Sequence, residues 1–307
     1  MIDARHISSY NKRMNKMPTK TRAAILSLLC ESMSMRAVAR TTDVSFNTVK
    51  KILIDAGEAC AAYHDEHVRN VLAKRVQCDE IWSFVYAKDK NVPDAVSAPE
   101  DAGDVWTWTA IDADSRLLIS YLVGGRDSGY AKEFMEDVAS RLTNRVQLTT
   151  DGHRSYLEAV EGAFGCDVDY AMLIKIYGKS KAKDDEIRYS PAECMGTKVQ
   201  VVSGDPDKDH ISTSYVERQN LTMRMHMRRF TRLTNGFSKK FENHAHMVAI
   251  YTVFYNFCKI HKTLRVTPAM ETGLSDTVRN AEWIVGLMDA RKPLPKKRRG
   301  PYKKKAA

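Results

Sequence analysis

The spacing of apolar residues in the first fifth of the chain predicts three short helices. Ile25, Leu28 and Leu29 have a helical spacing, and two further apolar groups follow Ser34 and Ser45, residue types that cap helix N-termini. A polar break at 41–43 separates the last two helices. Three short helices with a tight turn before the last are typical of a helix-turn-helix. The pattern therefore predicts a DNA-binding domain over 18–57, and an ordinary three-helix packing unit stays open as the alternative.

From residue 76 the pattern changes to the alternating and β-branched runs that are typical of strands. We predict strands at 76–86, 105–112, 116–123 and 146–150, and an amphipathic helix at 128–142. Residues 58–75 are expected to form a linker helix, 163–213 an insertion with strands at 170–176 and 198–202, and 212–229 and 238–261 two long helices. The order of three strands, a helix and a fourth strand predicts an α/β fold with a mixed sheet flanked by helices.

Charge is distributed unevenly along the 307 residues. The net charge is +6 over 1–77, −10 over 78–210, +5 over 211–290 and +9 over 291–307. Basic segments suit a polyanionic partner, because neutralised phosphates release counterions. An acidic middle suits DNA only if cations lie there, so the contrast indicates a metal-dependent nuclease core.

Cysteine spacing and hydropathy exclude several other classes. None of the six cysteines forms a CxxC pair, so neither a zinc ribbon nor a disulfide framework is predicted. Free thiols are typical of a reducing cytoplasm, and cytoplasm is the predicted location. No run of about 18 apolar residues occurs, so no membrane span and no membrane partner are expected.

Three carboxylates lie at positions where separate elements of such a fold converge. Asp79 lies in the first core strand, Asp151 ends the fourth strand, and Glu217 lies in the long helix that follows. Two-metal phosphodiester chemistry needs a few converging carboxylates, and magnesium prefers oxygen ligands. Glu80 is expected to point to the opposite strand face from Asp79, so that only one of the two enters a given site.

Several basic and polar residues are candidates for DNA contact. The predicted third helix exposes Asn47, Thr48, Lys50 and Lys51, which suit base reading and phosphate binding. Arg224 follows Glu217 by two helical turns and is placed to hold a phosphate. Further candidates are Arg228, Arg229 and, in a proline-broken basic tail expected to be disordered, Lys296, Lys297, Arg298 and Arg299. His153 fits either a phosphate contact or a loop without a catalytic role. Trp82, Trp106 and Trp108 are interpreted as core residues in preference to base-stacking platforms.

The sequence resembles the insertion sequence one family of bacterial transposases. The densest match is TSYVERQNLTMRMHMRRFTRLTNGFSKK at 213–240, followed by YNFCKIHKTLRVTPAM at 255–270, with CDEIWSFVY and TTDGHRSY around the two aspartates. The resemblance implies a ribonuclease-H-like core and assigns Asp79, Asp151 and Glu217 as the catalytic, metal-binding DDE triad. Better-known members carry an N-terminal zinc ribbon, which this chain lacks, so end recognition is expected to rest on the helix-turn-helix alone.

The predicted organisation is a helix-turn-helix domain at 18–57, a linker helix at 58–75, a catalytic core at 76–229 with insertion 163–213, a helical region at 230–290 and a basic tail at 291–307. The predicted function is a magnesium-dependent transposase, with manganese as a substitute, which binds terminal inverted repeats and joins them to target DNA as a dimer or higher oligomer in the bacterial nucleoid. Two alternatives stay open: a catalytically inactive or domesticated DNA-binding regulator, and a structure-selective nuclease that cuts without joining.

Overall fold

A six-stranded mixed sheet lies at the centre of the computed structural model, which describes residues 17–178, 194–231 and 235–291. The strands are β1 (Arg75–Val85), β2 (Gly103–Asp112), β3 (Leu118–Gly124), β4 (Val146–Thr150), β5 (Val168–Tyr177) and β6 (Cys194–Ser203). Their order is β3-β2-β1-β4-β5-β6, with β4 parallel to β1 and β5 and the remaining neighbours antiparallel. The predicted mixed α/β architecture is confirmed.

Nine α-helices lie around the sheet in the described part of the chain. They are α1 (Thr19–Cys30), α2 (Met35–Thr41), α3 (Phe46–His67), α4 (Ser128–Arg141), α5 (Ser155–Phe164), α6 (Ser214–His226), α7 (Phe241–Val253), α8 (Pro268–Glu271) and α9 (Ala281–Ala290). Ser34 and Ser45 cap α2 and α3 by accepting hydrogen bonds from the main-chain N–H groups of Ala37 and Thr48, as their positions predict. None of these helices is long and apolar enough to cross a bilayer.

Helix α3 differs from the sequence-based expectation, because the predicted third helix and most of the predicted linker helix form one continuous helix from Phe46 to His67. Gly57, where the domain boundary was predicted, is a packing position and not a helix end. A Cβ atom at Gly57 would lie 2.3 Å from the Cβ atom of His246 on α7. The glycine therefore permits the close approach of α3 and α7.

The predicted insertion also differs from the structure. Residues 168–177, inside the predicted insertion, form β5, and 168–172 pair in parallel with β4. Val168, Tyr170 and Met172 alternate into the core, which is the burial pattern of a sheet strand. Residues 179–193 of the predicted insertion lie outside the described residues, as do Lys296, Lys297, Arg298 and Arg299 of the basic tail.

One apolar core joins the N-terminal helices to the sheet and to the C-terminal helices. Leu53 and Cys60 of α3, Val248 of α7 and Ile284 of α9 are fully buried in the same cluster as Trp108 of β2. The predicted helix 238–261 ends as a regular helix at Val253 and continues as a π-helical turn over Phe254–Cys258. These contacts fix the N-terminal helices relative to the sheet.

Candidate active site

Two parallel strands bring the predicted aspartates together. β1 and β4 are in register with Cys78 opposite Thr150, so Asp79 and Asp151 are the next residues on neighbouring strands. β4 ends at Thr150, which leaves Asp151 at the edge of the sheet, where open α/β sheets place their ligands. One carboxylate oxygen from each of Asp79, Glu80 and Asp151 lies within 4.8 Å of the other two. We call these three residues the carboxylate cluster.

The presence of Glu80 in the cluster corrects the expectation that only one of the adjacent acids enters a given site. Asp79 and Glu80 do point to opposite faces of β1, as strand geometry requires. Asp151, however, lies just beyond the last residue of its strand, and side chains from both faces of β1 reach it there. The Glu80 side chain is almost completely buried.

Glu217 lies on α6 across the same cavity, which has a volume of about 1060 Å³ and is lined by Asp79, Glu80, Asp151 and Glu217. The first turn of α6 is held against β1 by Gln77, whose Oε1 accepts hydrogen bonds from the main-chain N–H groups of Tyr215 (2.9 Å) and Val216 (3.1 Å). Glu217 forms an ion pair with Lys175 of β5 and accepts a hydrogen bond from Thr213. Glu217 lines the same cavity as the carboxylate cluster, but its carboxylate oxygens do not lie within 4.8 Å of all three members of the cluster.

The cluster concentrates negative charge in a poorly hydrated place. Burial and the neighbouring Asp151 carboxylate raise the pKa of Asp79 to about 7. The same two causes, in the same order, raise the pKa of Glu80 to about 7. Both pKa values lie well above those of solvated carboxyl groups, so the ionised cluster lacks sufficient counter-charge from the protein itself.

Asn220 holds the Asp79 carboxylate from one side. Its Nδ2 donates a hydrogen bond to Asp79 Oδ2 at 2.8 Å. Its Oδ1 accepts a hydrogen bond from Thr109 Oγ1 at 3.0 Å, which fixes the orientation of the amide. Asn220 lies three residues after Glu217 on α6, so one helix face supplies both a carboxylate and a positioning amide.

Three cationic side chains line the cavity beside the acids: Arg126, Lys175 and Arg224. Arg126 donates to Glu80 Oε2 at 3.1 Å and lies 3.9 Å from Asp151 Oδ2. Glu217 and Arg224 line the same cavity, as their two-turn separation predicts. An acidic cluster with cations at its rim can bind a divalent cation and a phosphate together.

His153 is engaged by main-chain atoms at both ring nitrogens. Ser155 N–H donates to its Nδ1 at 3.1 Å, which assigns the ring proton to Nε2, and Nε2 faces the carbonyl oxygen of Arg126 at 3.2 Å. The main-chain N–H of His153 donates a hydrogen bond to Asp151 Oδ1 at 2.9 Å. Of the two sequence-based interpretations of His153, the structure favours a loop residue that holds Asp151 in place.

The predicted DNA-contacting residues separate into different surfaces. Asn47, Thr48 and Lys51 lie beside Asp289 of α9, in a cavity on one side of α3. Lys51 forms an ion pair with Asp55 at 2.5 Å. Lys50, Arg228 and Arg229 line a different cavity, between α3 and the segment before α7. The predicted base-reading face is therefore divided between two sides of α3, and its role in DNA binding stays a prediction.

Four residues of this site were missed by sequence reasoning: Glu80, Arg126, Lys175 and Asn220. The three-residue spacing between Glu217 and Asn220 was a usable signal, because it places both on one helix face. No local pattern points to Arg126 or Lys175, which reach the cavity from a loop and from β5.

The donor set suits a hard divalent cation. All three groups of the cluster offer carboxylate oxygens, and no other convergent group of His, Cys, Asp or Glu is found within 17–178, 194–231 and 235–291. Oxygen-only donors favour magnesium or manganese over zinc or copper.

No protein-family model matches the sequence, and no curated protein matches it significantly. Two solved structures are similar to the chain at low levels. A piggyBac transposase synaptic complex with hairpin DNA shares 10% identity over 96% of this chain and 78% of that chain, with a TM-score of 0.37. A pre-cleavage Mos1 transpososome shares 12% identity over 54% of this chain and 64% of that chain, with a TM-score of 0.20. Both scores are too low to carry an argument about function, and membership of the insertion sequence one family stays a prediction.

Proposed function

We propose that the protein is a DNA transposase of the DDE group with a ribonuclease-H-like core, which cuts DNA at the ends of its element and joins them to target DNA. The observation that carries this proposal is the carboxylate cluster at the ends of two parallel strands, with Glu217 across the same cavity. The strand order β3-β2-β1-β4-β5, with β4 and β5 parallel to β1, is also compatible with a ribonuclease-H-like sheet. The sequence resemblance gives the same assignment independently.

In this proposal Asp79, Asp151 and Glu217 hold magnesium or manganese, with Glu80 beside them. When bound, such a cation would supply positive charge to the attacking and leaving oxygens of an in-line displacement. Asn220 keeps the Asp79 carboxylate oriented, and Gln77 keeps α6, with Glu217, against β1. Arg126 and Arg224 are placed at the rim of the cavity to bind phosphate oxygens.

The proposed reaction has two displacements at phosphorus. In the first, a water oxygen bonds to phosphorus, the bond from phosphorus to the 3′-oxygen breaks, and the 3′-oxygen leaves as a hydroxyl. In the second, that hydroxyl attacks a phosphorus of target DNA and releases another 3′-hydroxyl. Joining two ends to one target requires at least a dimer on DNA.

The test uses labelled duplexes taken from the DNA that flanks the gene. Asp79→Asn, Asp151→Asn and Glu217→Gln are each expected to abolish cleavage and joining and to leave duplex binding intact. Glu158→Gln is the matched control, because Glu158 is an exposed acid on α5 outside the cavity, and it should retain activity. Excess chelator should stop the reaction, and calcium should support binding without cleavage.

The outcomes separate the alternatives. Near-normal joining by any one of the three variants removes that residue from the proposed site, and Glu80→Gln then tests whether Glu80 takes its place. Wild-type protein that binds the ends but never cuts them would favour the inactive regulator. Full activity in excess chelator would refute the two-metal mechanism.

A further inference from the structure

Four aromatic rings form a row that begins at the candidate active site. The Arg126 guanidinium carbon lies 4.4 Å from the ring centroid of Trp106, and Trp106 is the cross-strand partner of Trp82. The ring centroids of Trp82 and Phe84 are 5.9 Å apart, and those of Phe84 and Phe237 are 5.0 Å apart. We call Trp106, Trp82, Phe84 and Phe237 the aromatic row. Because Arg126 also binds Glu80, the row is continuous with the carboxylate cluster.

All four rings of the aromatic row are only half-buried. Trp108, two residues from Trp106 on the same face of β2, is fully buried against Phe134 and Tyr156. The sequence-based interpretation of the three tryptophans as core residues is therefore right for Trp108 and wrong for Trp82 and Trp106. Half-buried rings that adjoin one another, with Arg126 over Trp106 and Lys88 over Trp82, are typical of a surface that binds a ligand.

The far end of the aromatic row opens into a second cavity of about 460 Å³, between α2–α3 and the segment before α7. Phe237 and the exposed ring of Phe46 belong to its walls. Six cationic side chains line it and no acidic residue among the described residues does: Arg36, Lys50, Arg228, Arg229, Lys239 and Lys240. We call this cavity the basic groove.

Arg229 indicates that the basic groove is built for an anion. Its guanidinium donates to Ser238 Oγ at 2.6 Å, and it forms no ion pair with any acid in the described part of the chain. Burial lowers the pKa of Arg229 to about 10, so the side chain still carries its charge at neutral pH. Arg229 is half-buried and lines the groove, so it is only partly hydrated, and a phosphate in the groove would supply its counter-charge.

The carboxylates of Asp89 and Asp104 bind main-chain N–H groups and form no ion pair with Lys88 among the described residues. Asp89 Oδ1 accepts the main-chain N–H of Asp104 at 2.6 Å, and Asp104 Oδ1 accepts that of Asp89 at 3.2 Å. The Nζ of Lys88 lies over the Trp82 ring, 5.4 Å from the ring centroid.

We propose that the aromatic row and the basic groove together form a binding site for single-stranded DNA that leaves the carboxylate cluster. Rings accept the faces of unpaired bases by stacking, and a cationic groove follows the phosphates without reading sequence. A duplex keeps its base faces inside the stack, so only unpaired bases can use the row. The origin of this strand in cleavage rests on the proposed function. The binding of single-stranded DNA does not depend on it.

The first experiment measures tryptophan fluorescence of the full chain during titration with oligothymidylate of about 15 nucleotides, a length within the usual range for such sites. The chain has four tryptophans. Stacking on Trp82 and Trp106 should quench the fluorescence, and the double variant Trp82→Phe/Trp106→Phe should lose the quenching while it keeps most of its affinity. Trp108→Phe is the matched control, because Trp108 is buried, and its quenching should equal that of the wild type.

The second experiment measures affinity by anisotropy of a labelled oligothymidylate. Phe237→Leu should bind on the order of 5- to 150-fold more weakly, which is the range for loss of one base stack, and Phe237→Tyr should restore binding. Lys239→Gln/Lys240→Gln changes two exposed side chains and should leave folding intact. In this double variant, the slope of log affinity against log salt concentration should fall by about 0.7 for each lysine–phosphate contact that is lost.

Three results would overturn the proposal: equal quenching by a duplex of the same length, unchanged affinity and salt slope in the Phe237 and lysine variants, or quenching that depends on protein concentration without DNA. The last result would mean that a second copy of the chain covers the row. Asp79→Asn should bind the oligonucleotide like the wild type. Oligonucleotide binding without metal-dependent cleavage would refute the proposed function alone, and cleavage without oligonucleotide binding would refute this inference alone.

Discussion

Asn220→Ala is the change that most directly tests how the site holds its first carboxylate. The variant removes the 2.8 Å hydrogen bond from Asn220 Nδ2 to Asp79 Oδ2. A hydrogen bond to a charged group contributes about 1.5–3 kcal/mol, and the Asp79 side chain is only partly exposed to water. Because this hydrogen bond lowers the pKa of Asp79, its loss should raise that pKa further above about 7.

The sign of the pH dependence follows from this shift. A carboxyl group whose pKa is higher in the folded than in the unfolded state stabilises the fold at low pH and loses that contribution as the pH rises through the folded-state pKa. In chelator, Asn220→Ala should therefore be destabilised by up to about 1.4 kcal/mol more at pH 8 than at pH 5.5, because pH 8 lies only about one unit above the wild-type pKa of Asp79, about 7. Lost packing of the Asn220 side chain costs the same at both pH values, so the difference isolates the hydrogen bond.

The assay is chemical denaturation at the two pH values, together with a magnesium titration of DNA cleavage. Loss of a hydrogen-bond partner of a metal ligand typically costs 10- to 100-fold in metal affinity or activity. Arg218→Ala is the control, because Arg218 lies on the exposed face of the same helix. Thr109→Val removes the hydrogen bonds from Thr109 Oγ1 to Asn220 Oδ1 and to the main-chain oxygen of Asp79, and it should have a smaller effect in the same direction. Identical behaviour of Asn220→Ala and Arg218→Ala at both pH values would refute the assignment.

Two further predictions concern other groups. Burial lowers the pKa of His64 to about 4, so this residue should cost the wild type about 1.4 kcal/mol of stability for each pH unit below 6.5. Chemical denaturation between pH 7 and pH 5 should therefore show a smaller loss of stability in His64→Gln than in the wild type. Parallel curves for the two proteins would contradict this prediction. Lys175→Gln removes the counter-ion of Glu217, so half-maximal cleavage should need less magnesium, while the salt slope of duplex binding falls by about 0.9 if Lys175 contacts a phosphate. An unchanged magnesium requirement would show that Lys175 does not compete for Glu217.

The elements of the sheet could be predicted from the sequence where local patterns are strong. The strand at 146–150 has the predicted bounds, and β1, β2 and α4 differ from prediction by at most two residues at either end. The strand at 170–176 was predicted, but it was assigned to an insertion and not to the central sheet, because a lysine-rich segment follows it. Its parallel partner lies more than 20 residues earlier in the chain, and such pairing leaves no local signal.

The candidate site shows the same division between local and distant information. Asp79, Asp151 and Glu217 stand out because each occupies a defined place in its own element. The entry of Glu80 depends instead on where β4 ends relative to β1, and the roles of Arg126 and Lys175 depend on which loops and strands meet at that edge. These are consequences of strand register, which hydrophobic periodicity alone does not determine.

Strand β1 links the two parts of the site through residues of alternating direction. Asp79 and Gln77 share one face, so the strand that supplies the first carboxylate also holds the N-terminus of the helix that supplies Glu217. Glu80, Trp82 and Phe84 share the other face and lead from the carboxylate cluster to the aromatic row. A shift of β1 by one residue would exchange the two faces and separate both sets from their partners. The buried neighbours Cys78 and Ile81 oppose such a shift, because either would lose its place in the core. The packing that fixes the register of β1 therefore also fixes the geometry of the candidate chemistry.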